Sequence, residues 1–233
     1  MHLSEQEMKK TIIALLLLAV AMPIASAQTV IQYRRPMKAL SVEGGASLNL
    51  VNNFSGRAVG AWHPFGGISF EGPMNKHLDI GLHLLYQQKS FTGVATEEYP
   101  TPPPSHNIHA IHLDMGFNWY PFVAFWYVGA YFNFGGNFLA QRIEADGSKV
   151  LVPGASEKAG MDALGLFLGY ALETGFSFHF WPIGDRFIIF ARYEGDWGFP
   201  FDKEYCNEYG LNRKARINNL AVGVRIPISL IRD

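Results

Sequence analysis

The sequence predicts an all-β fold: a closed, antiparallel, up-and-down transmembrane β-barrel of about eight strands, preceded by a cleaved signal peptide. Three observations predict it. Segments of period-two alternation recur along the chain, the connections between them alternate long and short, and the polar face of each segment is built from small residues. Composition agrees. Charged residues make up only 17% of the 233 positions and aromatic residues 14%, against a usual charged share of about 25% in a soluble domain. A net charge of -1 leaves no basic surplus for nucleic acid.

The chain opens with Lys9-Lys10, an apolar run from Ile12 to Met22, and Ala25-Ser26-Ala27. That is the order of a secretory signal peptide, residues 1–27, with cleavage before Gln28. The run is too short for the roughly 20 residues of a spanning helix. Glu5 and Glu7 ahead of the basic pair are unusual in such a signal and point to Met8 as the true start. Residues 28–233 form the barrel domain, in which no other apolar run approaches helix-spanning length. Cys206, the sole cysteine, stands in a polar stretch and reads as an incidental thiol. No cysteine follows the signal to carry a lipid anchor.

The first strand, 40–50, sets Leu40, Val42, Gly44, Ala46, Leu48 and Leu50 against Ser41, Glu43, Gly45, Ser47 and Asn49. The second covers about 62–72, with Ile68 and Phe70 opposite Ser69 and Glu71, and Pro64 marking its outer end. The third, 78–88, opposes Leu78, Ile80, Leu82, Leu84 and Tyr86 to Asp79, Gly81, His83 and Gln87. The fourth, 108–120, opposes Ile111, Leu113, Met115, Phe117 and Trp119 to His112, Asp114, Gly116 and Asn118. The fifth is 125–136, the sixth 163–181, the seventh 186–197 and the eighth 215–230, all with the same alternation.

A soluble sandwich or ligand-binding barrel also alternates, but its polar face meets water and tolerates bulk. Here that face is Gly, Ser, Ala and Asn with scattered charges, which suits a confined interior, and the bulky aromatic face suits lipid. The long connections are 51–61, 89–107, 137–162 and 198–214; the short ones are 73–77, 121–124 and 182–185. This is the rim asymmetry of outer-membrane barrels, with tight periplasmic turns and longer external loops. Aromatic residues beside the tight turns, Trp119, Tyr120, Phe122, Phe125, Trp126 and Trp181, with Tyr127 next to them, read as the headgroup-level girdle. An interior eight strands wide is filled by side chains. The inward charges are Glu43, Asp79, Asp114, Glu173, Arg192, Glu194 and Arg225. Arg192 and Arg225 are expected to bridge the carboxylates, and Arg225 to meet Glu43 across the closing seam.

Catalytic, cofactor-binding and metal residues are not expected. The chain lacks G-x-S-x-G, H-E-x-x-H and a phosphate-binding glycine loop. His106, His109 and His112 flank Ser105 and Asp114, yet His109 and His112 face opposite sides of a strand and cannot share a metal. Loop 95–106 holds Glu97, Glu98 and Pro102-Pro103-Pro104, stiff enough for a rigid external surface.

The stretches Leu164-Gly165-Leu166-Phe167-Leu168-Gly169, Phe187 to Ala191-Arg192-Tyr193, and Trp119-Tyr120-Pro121-Phe122 resemble the PorT-like outer-membrane β-barrel family of the Bacteroidota. The resemblance implies the barrel and, through some relatives, an accessory part in protein secretion. It carries over no functional residue. The end, Ile228 to Asp233, lacks the terminal aromatic of the common pattern. The expected function is a non-enzymatic outer-membrane barrel, structural or partner-binding through its external loops 89–107 and 137–162. A narrow solute channel, a lipid-modifying enzyme and a soluble barrel with an apolar ligand are the alternatives.

Overall fold

The computed structural model describes residues 38–52, 58–95, 97, 100, 102, 105–121, 126–144, 146–151, 165–180, 184–197 and 216–231, with backbone alone for 178–180, 184–186 and 229–231. The strands are β1 (Lys38–Asn52), β2 (Ala58–Gly60), β3 (Trp62–Pro73), β4 (Leu78–Gly93), β5 (Ser105–Trp119), β6 (Trp126–Ile143), β7 (Lys149–Leu151), β8 (Leu166–Phe180), β9 (Gly184–Asp196) and β10 (Arg216–Ile231). The signal peptide, Phe122, Phe125, Trp181 and Cys206 lie outside the described residues.

Eight of these strands close a ring in the order β1-β3-β4-β5-β6-β8-β9-β10, every neighbour antiparallel. Closure comes from β1 on β10, which pair from Lys38↔Ile231 to Asn52↔Arg216. One irregularity falls where Leu40 pairs Ser229 and Ser41 pairs Pro227. Pro227 has no N–H to give, so a break in the ladder beside it is where proline can be accommodated. Pro64 acts similarly. The β3–β4 ladder starts one residue later at Phe65↔Gln87, and the outer end of β4 pairs with β2 instead.

The faces are inverted relative to a water-soluble barrel. Glu43, Asp79, Asp114, Arg192 and Arg225 are buried, whereas Leu84, Phe117, Phe134, Leu172 and Val222 lie 45–52% exposed. Parity decides this residue by residue. On β5 the outward series is Ile111, Leu113, Met115, Phe117 and Trp119, and its inward partners are His112, Asp114, Gly116 and Asn118. At about 3.4 Å per residue and a tilt near 40°, that outward series spans about 21 Å, close to the roughly 25 Å apolar band of membrane barrels.

Two expectations need correction. Tyr120 and Tyr127 do not join the external girdle: both are fully buried, packed together at 5.4 Å between ring centroids. Trp119 faces outward, so the next residue in the alternation must face inward. The long connections are also shorter than their sequence suggests. The segment 137–162 begins as strand, since β6 runs on to Ile143 and turns back through Gly147 (φ 82°) into β7. Likewise β4 carries the ladder to Gly93 and β5 resumes at Ser105. These extensions continue the barrel wall beyond its apolar band.

Replacing Met115 by Arg places a cation mid-way along the outward series of β5. It is expected to destabilise the barrel in lipid vesicles by about 2–4 kcal/mol, measured by urea titration. A change near zero would mean that this face meets water.

Candidate functional site: the buried charge cluster

The interior of the ring is packed by charge and aromatic surface together. Arg225, inward on β10, donates from Nε to Glu43 at 2.8 Å, from Nη1 to Glu71 at 2.8 Å and from Nη2 to Glu173 at 3.1 Å. Glu43 is its direct cross-strand neighbour at the closing seam. Arg192, inward on β9, donates from Nε to Glu173 at 2.7 Å and from Nη1 to Asp114 at 3.2 Å, with Glu194 at 3.7 Å. Asp114 belongs to β5, so this contact crosses the lumen and skips β8 and β6.

Neutral and imidazole groups complete the cluster. His83 Nδ1 lies 2.8 Å from Glu43, and Tyr127 donates its hydroxyl to Glu173 at 2.5 Å. Tyr131 donates to Asn118, which donates in turn to Glu71 at 3.0 Å. Glu194 accepts from Gln87 at 2.8 Å. Asp79 is fully buried opposite Asn118 in the β4–β5 ladder. A buried ion whose partner is removed is strongly destabilising, because nothing else offsets its desolvation. Here each guanidinium is shared among several acids, so no single pair carries the arrangement.

Aromatic residues hold the cluster in place. Phe190 lies beneath both guanidinium groups, with its ring centroid 5.3 Å from Arg192 and 4.9 Å from Arg225. Phe65 meets Phe190 edge-on at 6.1 Å, and the ring of Tyr131 meets His83 edge-on at 4.8 Å. Glycines on neighbouring strands make the room. A side chain at Gly135 would strike the Phe167 ring and the β-carbon of His112, at 2.6 and 2.5 Å. Nearer the outer rim, Lys89 reaches from β4 to Asp196 on β9 at 2.5 Å, with its ammonium 3.9 Å above the Phe167 ring. Those strands stand opposite one another in the ring, so Lys89 is a bar across the mouth.

All seven inward charges named from the sequence are buried, and four of them, Glu43, Asp114, Glu173 and Glu194, lie round the guanidinium of a fifth, Arg192. Sequence reasoning passed over Glu71 and His83, although both have inward parity, and placed Lys89 in a loop. Of the girdle residues, Trp119 faces outward and Trp126 is half-buried, donating Nε1 to Thr174 at 2.9 Å. His109 faces outward against the Tyr86 hydroxyl at 2.7 Å; His106 and His112 face inward. An outer aromatic set that the sequence reading did not single out, Tyr170, Tyr193, Phe132 and Trp197, gathers on β6, β8, β9 and the residue that follows β9.

A closed ring with hydrocarbon-like side chains outside and paired charges inside defines the class: a transmembrane β-barrel of the bacterial outer-membrane type. No family model matches the chain, and no curated protein matches it. Among solved structures it is similar to the attachment invasion locus protein Ail of Yersinia pestis in complex with the heparin analogue sucrose octasulfate: 12% identity, TM-score 0.44, 83% of this chain and 100% of that one. It is also similar to Neisserial surface protein A: 15% identity, TM-score 0.46, 80% and 96%. A third is the outer membrane protein OprG of Pseudomonas aeruginosa: 14% identity, TM-score 0.43, 85% and 99%.

Arg225→Gln is expected to cost about 3–5 kcal/mol, because Glu43, Glu71 and Glu173 lose one shared partner. Urea titration of the refolded barrel measures it. Arg225→Lys should recover only part of this loss, since an ammonium is a compact point charge that cannot fork to three acids.

Proposed function

We propose that the chain is a non-enzymatic outer-membrane barrel whose lumen is closed by a structural charge plug and whose activity lies in its external connections. The observation that supports this most is the pairing of an exposed apolar belt with a filled interior. Six inward-facing carboxylates, two guanidinium groups and a core of Phe65, Tyr120, Tyr127, Ile188 and Phe190 occupy the space that a solute would need. A filled lumen argues for the partner-binding reading over the narrow channel, and the outward apolar series argues against a soluble barrel with an apolar ligand.

The contact surface follows from the same architecture. The β6–β7 hairpin projects past the barrel wall and is fixed at its tip by Glu144 N–H to Ser148 and Gly147 N–H to Glu144. Lys149, Val150 and Leu151 on it are all exposed. A preorganised hairpin loses little entropy on binding, which suits a protein partner over 137–162, and the run Pro102-Pro103-Pro104 is the sequence feature that makes 89–107 a second candidate contact. The outer-membrane lipid is the other partner, held by the belt and the girdle. An accessory role in protein secretion is the finer reading, and its support is the resemblance to the PorT-like barrels.

Cell fractionation with mass spectrometry is expected to recover the protein in the outer membrane, running faster on gels unboiled than boiled. Recovery as a soluble periplasmic or extracellular protein would overturn the membrane reading. Conductance above background in planar bilayers would overturn the plug.

A further inference from the structure

We propose that the outward face of β4, β5 and β7 binds the phosphorylated sugar headgroup of an outer-leaflet glycolipid, through the Tyr86 hydroxyl and the Lys149 ammonium. Four polar side chains form a directed hydrogen-bond chain there. Gln88 Nε2 donates to Asn107 Oδ1 at 2.7 Å, and Asn107 Nδ2 lies 3.1 Å from His109 Nε2. An amide nitrogen only donates, so Nε2 is the acceptor of a neutral imidazole and Nδ1 carries the ring hydrogen. Nδ1 gives that hydrogen to the Tyr86 oxygen, 2.7 Å away. The hydroxyl therefore already accepts, and its own hydrogen is left to point away from the wall, on a side chain 36% exposed. A donor placed out of water is costly unless an acceptor comes to it.

The depth of this donor says what surrounds it. His109 lies two residues beyond Ile111, the outermost member of the lipid-facing series of β5. At the same rise and tilt it stands about 26 Å from Trp119, where hydrocarbon gives way to headgroups. The acceptors at that depth are lipid phosphates, esters and sugar oxygens.

Charge and ring surface narrow the choice. Lys149 pairs with Ile143, which pairs with Ser105, so it shares the outward face of Asn107 and His109. It is exposed, acts electrostatically on His109, and makes no ion pair among the described residues. Its carbon stem brings the ammonium back along the wall towards the headgroups. A cation beside an outward phenol hydrogen suits a phosphate oxygen better than a neutral ester. The neighbouring β6 adds a bulge. His109 pairs with Leu139 and Ala110 with Asn137, which leaves Phe138 as an extra residue. Bulges re-aim side chains, and this one sets the Phe138 ring 6.3 Å from Tyr86 and 6.1 Å from His109. Both Tyr86 and Phe138 are exposed, and their faces can stack on the C–H face of a sugar ring, which a glycerol headgroup lacks.

The site rests on the outer wall meeting lipid, which cell fractionation tests separately. Native mass spectrometry of the purified protein in detergent micelles, titrated with diphosphorylated lipid A, reads the binding itself. Unboiled gel mobility scores closure of each variant. The parent is expected to retain one lipid A. Tyr86→Phe, which removes only the hydroxyl, should weaken binding about 10-fold, and Lys149→Gln about 5-fold. Tyr193→Phe, outward on β9, should leave it unchanged. Lipid A stripped of both phosphates, and phosphatidylglycerol, should each bind at least 10-fold more weakly, roughly the loss expected from Tyr86→Phe. No lipid A on the closed parent, or equal binding of phosphatidylglycerol, would overturn the site. So would an equal loss in Tyr193→Phe, or no loss in closed Tyr86→Phe. If Tyr86→Phe fails to close, Lys149→Gln, which lies beyond the belt, decides in the same way.

Discussion

The antiparallel ladder between β1 and β10 is the contact on which the other features of this barrel depend. Hydrocarbon offers nothing to an unpaired N–H or C=O, so a sheet that spans it has to end on itself. Fifteen residues of β1, Lys38 to Asn52, meet β10 and supply that closure. The same seam brings Glu43 beside Arg225, so backbone pairing and the buried ion cluster are made in one step. An open sheet would leave Arg225 in water, and its three acids would have no common centre.

Closure in turn creates the packing problem that the interior solves. Eight strands leave a lumen too narrow for water to solvate many charges and too wide for small side chains to fill. The chain fills it with long residues laid across glycines. Phe167 lies over Gly135, Tyr127 reaches to Gly175, and Phe190 sits under two guanidinium groups. The acids are satisfied collectively: Glu173 alone meets Arg192, Arg225 and Tyr127. Such sharing is costly to desolvate, but it fixes strand register strongly, since a slip of one residue would turn these charges toward lipid.

Outside the apolar belt the strands do not stop together. β4, β5 and β6 continue past the level at which β8 and β9 part, and the β6–β7 hairpin extends this side further. Among the described residues the outer rim rises highest at β4, β5 and β6, where it is built from backbone hydrogen bonds. A binding surface raised on such a wall is held by the barrel itself. The tight turns on the opposite rim have another job, seen where His77 and Tyr120 bond to each other's backbone and draw Tyr120 in as part of the floor.

The alternation of the sequence determined the strands, their order and their inward and outward faces, because side chains on a strand point to opposite sides at every step. Residue size then distinguished a lipid-facing from a water-facing barrel. Glu43 and Arg225 could even be matched across the seam, since first and last strands of a closed ring must meet. Tyr120 was misplaced when closeness to a turn was allowed to outweigh parity. Lys89 and the outer parts of β4 and β6 read as loop, because beyond the lipid no apolar face is required and the pattern fades while the hydrogen bonds continue. Contacts across the lumen were decided only by the tertiary structure. Arg192 with Asp114 and Lys89 with Asp196 join strands that are not neighbours in the ring. Their meeting depends on the diameter and stagger of the closed barrel, quantities set by all eight strands together and by no segment of sequence alone.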